Sequence, residues 1–120
     1  MSIAKGIVLI TGSAQGVGRS IALRLARDGF DISLNDLPSK RDQLRAVAND
    51  VENVGRRAHL VSADITVEDD VKGMVCSTAE ELGGLDVVST TCKVQLALYL
   101  SYLLDGIKRR DLFGIRLSLQ

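Results

Sequence analysis

A chain of 120 residues is short enough to be one domain and long enough to bury roughly two-thirds of its unfolded surface. Its 46% hydrophobic and 25% charged residues are ordinary for a globular protein, and its formal net charge of zero argues against nucleic acid or an anionic membrane surface as a partner. Two cysteines, Cys76 and Cys92, are too few for a disulfide scaffold and form no Cys-x-x-Cys pair. The N-terminus lacks the pattern of a signal peptide, so two reduced thiols in the cytoplasm are expected.

The elements read along the chain alternate between short β-branched runs and amphipathic helical stripes, the pattern of a parallel α/β sheet. Strand one is expected over Gly6–Thr11. Its core, Ile7-Val8-Leu9-Ile10, is far too short to span a bilayer. Helix one follows over Gly16–Asp28 with Val17, Ile21 and Leu25 on its apolar face, and Gly29 stops it. Strand two is expected over Asp31–Asn35. Helix two covers Ser39–Asn53, where Leu44, Val47, Val51 and Val54 form one stripe, with Gly55 as its stop.

Strand three is expected over Ala58–Ala63. Helix three begins at Thr66, whose hydroxyl caps the first turn, with Asp69 near the positive helix end. Val67, Val71, Met74, Val75 and Leu82 make its stripe, Cys76 packs beside it, and Gly83-Gly84 ends it. Leu85–Ser89 is a fourth strand. His59 reads as structural. Beyond Ser89 the character changes: residues 1–89 hold ten basic and thirteen acidic side chains, residues 90–120 five and two. Leu96–Leu104 is almost wholly apolar and reads as a buried helix or strand, followed by the basic cluster Lys108-Arg109-Arg110, a solvated helix end.

The chemistry is carried by the loop Thr11-Gly12-Ser13-Ala14-Gln15-Gly16-Val17-Gly18, set between an apolar strand and an amphipathic helix. A phosphate binder there needs a sharp turn, close backbone approach to the pyrophosphate and tight helix–strand packing, which are the tasks of Gly12, Gly16 and Gly18. The helix amides and dipole then favour the phosphates. A P-loop is the nearest rival, but Ser13 stands where its first glycine should be and Arg19 replaces its lysine. A nucleoside site of the methyltransferase type also uses a glycine turn and an acid, with a spacing that fits less well.

Asp36 lies 18 residues beyond Gly18, where a carboxylate accepts hydrogen bonds from the adenosine ribose. A turn aspartate before Pro38 is the plainer alternative. A 2′-phosphate near Asp36 would meet like charge costing on the order of 1–4 kcal/mol, so NAD is expected over NADP. Lys40 and Arg41 stand close enough in sequence to soften that preference.

These residues together resemble the short-chain dehydrogenase/reductase family. The loop is similar to its Thr-Gly-x-x-x-Gly-x-Gly motif in full, and Asn35-Asp36 resembles the strand-two ending of its NAD users. Ala63-Asp64-Ile65 resembles its adenine-holding pair, and Gly84-Leu85-Asp86-Val87-Val88 its approach to strand four. Leu34–Pro38 is also similar to diacetyl/acetoin reductases. The resemblance covers residues 5–89. It implies a Rossmann-type doubly wound parallel sheet of order 3-2-1-4, and cofactor contacts from Gly12, Ser13, Gly16, Val17, Gly18, Asp36, Leu37, Asp64 and Ile65.

The implied activity is NAD(P)-dependent hydride transfer between an alcohol and a carbonyl. The family's Asn-Asn-Ala-Gly is replaced by Thr90-Thr91-Cys92-Lys93. Its Tyr-x-x-x-Lys pair is missing, since Leu103 follows Tyr99 and Gly106 follows Tyr102 at the lysine's spacing. The reading is therefore a Rossmann half-domain over 1–89 and a divergent segment over 90–120, a truncated form produced by an altered splice, frame or gene boundary. It is expected to bind the dinucleotide without catalytic residues or a metal, with the family's usual oligomer interface missing and the sheet edge beside strand four either covered by the apolar tail or left open in a poorly stable chain. A non-catalytic nucleotide-binding or interaction module is the alternative.

Overall fold

The computed structural model describes residues 3–90 and 116–119. Its sheet is parallel throughout, in the order β3-β2-β1-β4-β5, with β1 at Ile7–Ile10, β2 at Asp31–Asp36, β3 at Ala58–Ser62, β4 at Val87–Thr90 and β5 at Arg116–Leu119. The expected order 3-2-1-4 is thus present, with one strand added. β5 pairs with β4 from Val87↔Arg116 to Thr90↔Leu119, so of the two outcomes expected for that edge the structure shows it covered by the chain's own later residues. Pairing of a strand edge removes a row of exposed amides and carbonyls. Leu96–Leu104 with its two tyrosines, Cys92 and Lys108–Arg110 lie outside the described residues.

Alternation along the strands divides the core in two. Val8, Ile10, Ile32 and Leu34 face helices α1 (Gly16–Asp28) and α2 (Arg41–Asn53), packing on Ala22, Ala26, Leu44, Val47, Ala48 and Val51. Leu9 and Val88 face the other way, onto Val71, Met74 and Val75 of α3 (Glu68–Leu82). Ser33 shares that second face, and its hydroxyl meets the Thr78 hydroxyl at 2.7 Å. Thr78 in turn donates to the Met74 carbonyl at 2.9 Å. Two buried hydroxyls are thereby satisfied inside an apolar interface.

Several details differ from the sequence expectation. The buried line of α1 is Gly18, Ala22 and Ala26, while Ile21 and Leu25 are only partly buried and Val17 is exposed. Close packing on β1 selects the small residues for the contact line and pushes the larger ones to its flanks. A 3-10 turn over Pro38–Lys40 precedes α2, whose stripe ends at Val51, because Val54 is already its exposed C-cap. Thr66 caps no helix: its hydroxyl donates to Asp64 Oδ1 at 2.6 Å, and α3 starts after Val67, itself largely exposed. The first turn of α3 carries Glu68, Asp69 and Asp70, favourable charge at a positive helix end. Cys76 is exposed rather than packed, since Met74 and Val75 occupy the buried side of that turn.

At the amino ends of the strands a charged clasp holds the sheet. Asp31, only 1% exposed, pairs with Arg57 Nη2 at 2.8 Å and Arg56 Nε at 3.3 Å, and its Oδ1 also accepts the Arg57 amide at 3.0 Å. Arg57 Nη2 donates to the Leu82 carbonyl at 2.9 Å, tying the end of α3 to the same carboxylate.

Candidate functional site

The sequence-predicted site residues converge on one place, the carboxyl ends of β1, β2 and β3. In open α/β sheets this edge is where ligands bind. The loop after β1 is built by two positive backbone angles, φ +63° at Gly12 and +61° at Gly16, a region that side chains seldom enter. Gly18 is required for a different reason. A Cβ there would lie 2.3 Å from the Gly12 carbonyl oxygen and 3.1 Å from Ser13 Cα, so the first turn of α1 sits directly against the loop. A Cβ at Gly16 would meet nothing within 4 Å. The loop is therefore packed on its inner side at Gly18 and open at Gly16.

The first i→i−4 bond of α1 runs from the Arg19 amide to the Gln15 carbonyl, at 3.3 Å. The amides of Gly16, Val17 and Gly18 precede it and belong to the exposed helix end, where backbone donors and dipole favour an anion. Val17 is 63% exposed beside this end.

A buried polar network fixes the loop to its neighbours. Ser13 is fully buried, and its amide donates to the Asn35 carbonyl at 2.9 Å. Its hydroxyl lies 3.2 Å from the same carbonyl and accepts the Asn35 amide at 3.0 Å. The Asn35 side chain donates to the Val61 and Ala63 carbonyls at 3.1 and 3.3 Å, carrying the network to β3. The Thr11 amide donates to Ser89 of β4 at 3.0 Å. Ser13 thus fastens the loop to β2 rather than presenting its hydroxyl outward. Asn35 was legible as part of the Asn35-Asp36 strand ending, but its role as the hub was not.

Asp36 ends β2, and its carboxylate is held from two sides. Oδ2 accepts the Ala14 amide of the loop at 3.1 Å, and Oδ1 accepts the Leu37 amide at 2.9 Å. Leu37 is exposed next to it. After β3, Asp64 and Ile65 are partly buried, Ile65 resting on the α3-side core. The Asp64 amide donates to Asp70 at 2.9 Å, and Asp64 Oδ1 accepts the hydroxyl and amide of Thr66. Those two bonds hold the Asp64 carboxyl below its ordinary value of 3.8. His59 lies away from this edge. Its Nε2 is 2.7 Å from the Ser77 hydroxyl, and partial burial lowers its pKa from 6.5 against an opposing pull from Glu81.

The sheet order, the turn-and-helix geometry and the acid at the end of β2 define a Rossmann-type α/β protein. The sequence profile of the short chain dehydrogenase family matches residues 6–95, and the chain belongs to that family. It is 43% identical over 102 residues to a short-chain dehydrogenase/reductase of Armillaria gallica, covering 84% of this chain and 38% of that protein. The carveol dehydrogenase of Mycobacterium avium, solved in complex with NAD, superposes with a TM-score of 0.69 at 32% identity, over 77% of this chain and 37% of that one. A blue fluorescent protein from a metagenomic library, solved in complex with NADPH, gives 0.69 at 30% identity, over 74% and 36%. The chain therefore spans little more than a third of the length of these relatives. No helix among the described residues is long and apolar enough to cross a membrane.

Proposed function

We propose that residues 3–90 form the dinucleotide-binding part of an NAD(P)-dependent oxidoreductase acting on alcohols or carbonyls. The observation that carries this reading is the Gly12–Gly18 loop, tight on the helix side and open over Gly16, with the carboxylate of Asp36 tied into it through Ala14. In this reading the amides at Gly16, Val17 and Gly18 receive the pyrophosphate, and Gly12 and Ser13 hold the loop in shape. Asp36 takes the adenosine ribose hydroxyls, with Leu37, Asp64 and Ile65 around the adenine. Bound there, a nicotinamide dinucleotide supplies a hydride acceptor or donor.

Asp36 favours NAD by repelling a 2′-phosphate. The 120 residues contain no Tyr-x-x-x-Lys pair, so the proton exchange that accompanies hydride transfer has no donor of that kind among them. The chain on its own is accordingly a binding unit without turnover.

Titration calorimetry of the chain with NAD and NADP tests the reading. The expected result is saturable binding of NAD, tighter than NADP, and a loss of at least about tenfold in Asp36→Ala, a change of about 1.4 kcal/mol. Absence of binding by either nucleotide would overturn it. Steady turnover of alcohols or diketones by the wild-type chain would overturn the absence of catalysis.

A further inference from the structure

We propose that Ser77, His59 and Glu81 form a second, hydrolytic site at the amino end of β3, in which Ser77 attacks small activated carboxylic esters. It lies toward the opposite end of the strands from the glycine loop and does not rest on the dinucleotide reading. Ser77 and Glu81 are four residues apart on α3 and so share one face of that helix. His59 meets this face from β3, with Nε2 2.7 Å from the Ser77 hydroxyl oxygen. That is a distance at which a general base takes a nucleophile's proton. With Nε2 accepting, the proton of the neutral ring is on Nδ1. Partial burial holds the His59 pKa below 6.5, so the ring is a neutral base at pH 7. The Glu81 carboxylate pulls the other way and favours the imidazolium that forms when the proton arrives. Glu81 makes no ion pair among the described residues, so its charge is left to His59.

His59 and Glu81 line a cleft of about 310 Å³ together with Glu52, Arg56 and Arg57, and Ser77 is itself partly exposed. The Arg56 side chain is 9% exposed and turned to Asp31, whereas that of Arg57 is 59% exposed. Arg57 Nε and Nη2 are held by Asp31 and the Leu82 carbonyl, which leaves Nη1 without an acceptor among the described residues. A fixed donor of this kind suits an oxygen that gains charge during reaction. Ser77 Oγ bonds to the ester carbonyl carbon as its proton passes to His59 Nε2, and the carbonyl oxygen becomes the anion that Arg57 receives. The bond from that carbon to the alcohol oxygen then breaks, and the leaving oxygen takes the proton from Nε2. Water attacks the acyl-serine in the same way, giving its proton to Nε2, from which Ser77 Oγ recovers one as the carboxylic acid departs. Ester and water become acid and alcohol, with no oxidant or cofactor.

The test is hydrolysis of p-nitrophenyl acetate by the Cys76→Ala chain, in which the exposed thiol beside Ser77 cannot compete. A rate above buffer is expected, with acetyl trapped on Ser77 in acid-quenched peptide maps. Adding Ser77→Ala or His59→Gln should each lower that rate at least about tenfold, and the two together no further, because the pair acts as a unit. Glu81→Gln should cost less and move the acid limb of the pH profile to lower pH, since the ring loses the charge that raises its pKa. Ser77→Cys keeps a nucleophile in place and should take the acetyl group on sulfur, which guards against a Ser77→Ala chain that fails to fold. No rate above buffer, acetyl found only on other residues, an undiminished rate in folded Ser77→Ala, or a Ser77→Cys thiol that stays unacylated would each overturn the proposal.

Discussion

Substituting the two glycines at either side of the phosphate loop separates packing from backbone strain. In Gly18→Ala the new Cβ would sit 2.3 Å from the Gly12 carbonyl oxygen and 2.9 Å from its carbon. An ordinary carbon–oxygen contact is about 3.3 Å, so helix and loop must part by roughly 1 Å. Overpacking costs about 1–3 kcal/mol, and a clash against backbone atoms falls in the upper part of that range, about 2–3 kcal/mol, from which alanine's better helix propensity takes back about 1 kcal/mol. A net loss of about 1–2 kcal/mol lowers the melting temperature by roughly 4–8 °C in a domain of this size. Nucleotide affinity should fall at least tenfold as well, because the displaced amides belong to the same turn.

Gly16→Ala meets no atom within 4 Å but places alanine at φ +61°, costing about 1–2 kcal/mol. The pair is distinguished by asparagine, which tolerates the left-handed region. Gly16→Asn should recover most of the stability lost in Gly16→Ala, whereas Gly18→Asn should be worse than Gly18→Ala. Thermal melts followed by circular dichroism read all four variants. A Gly18→Ala protein that melts with the wild type would refute the steric reasoning.

Asp31→Ala leaves Arg56 and the base of Arg57 without their shared carboxylate. Breaking a buried pair in this way costs about 3–5 kcal/mol, expected as a fall of at least about 1 M in the urea midpoint. An unchanged midpoint would mean that the clasp contributes nothing net. His59 and Asp64 predict acid sensitivity in two separate windows. The His59 pKa is lowered on folding, so the unfolded chain takes up its proton first. Stability should begin to fall as pH drops through about 6.5, the decline ending below the folded value, and His59→Gln should flatten that part of a urea-midpoint profile. The Asp64 pKa is also lowered, so its contribution is present above its ordinary value of 3.8 and is lost as pH falls through the lower folded value. Thr66→Val, which removes the hydroxyl bond, should diminish only this second decline.

Much of the fold was legible because its signals are periodic. The strands over 7–10, 31–36 and 58–62 and the helix over 16–28 follow from alternation, stripe and terminal glycine, each dictated by local geometry. What local pattern could not decide was which side of a helix meets the sheet. Val17 looks like a core residue by spacing, yet Gly18, Ala22 and Ala26 make the contact, because the required closeness is set by the loop and strand rather than by α1. Thr66 likewise has the right chemistry for a cap, but Asp64 two residues earlier offers it a nearer acceptor. At the site, the glycines and Asp36 were readable from spacing, since a phosphate cradle constrains adjacent residues. The Asn35 hub, the Ala14–Asp36 bond and the Arg41–Ser62 bond join residues 21 to 28 positions apart, and only the assembled sheet brings them together. The pairing of β5 with β4 is a still longer-range event, for which four residues of ordinary strand composition carry no signal of their own.

The sheet keeps stability and binding at opposite ends of the same strands. Asp31 begins β2 and Asp36 ends it, five residues apart and therefore roughly 16 Å distant at about 3.3 Å per residue. The first carboxylate is sealed by Arg56 and Arg57 among backbone carbonyls, and the second holds loop amides at the edge proposed to receive the nucleotide. The four uncharged residues between them, Ile32 to Asn35, are all buried and hydrogen-bonded into the ladder, so the strand is a stiff spacer rather than a hinge. Loss of the clasp should then lower the folded fraction without altering the site that remains in folded molecules. Ligand stabilisation depends on concentration relative to Kd alone when the unfolded chain does not bind. Saturating NAD should therefore add the same unfolding free energy to Asp31→Ala as to the wild type, about 2.7 kcal/mol at a hundredfold excess over Kd, while in Gly18→Ala the increment shrinks at the same nucleotide concentration.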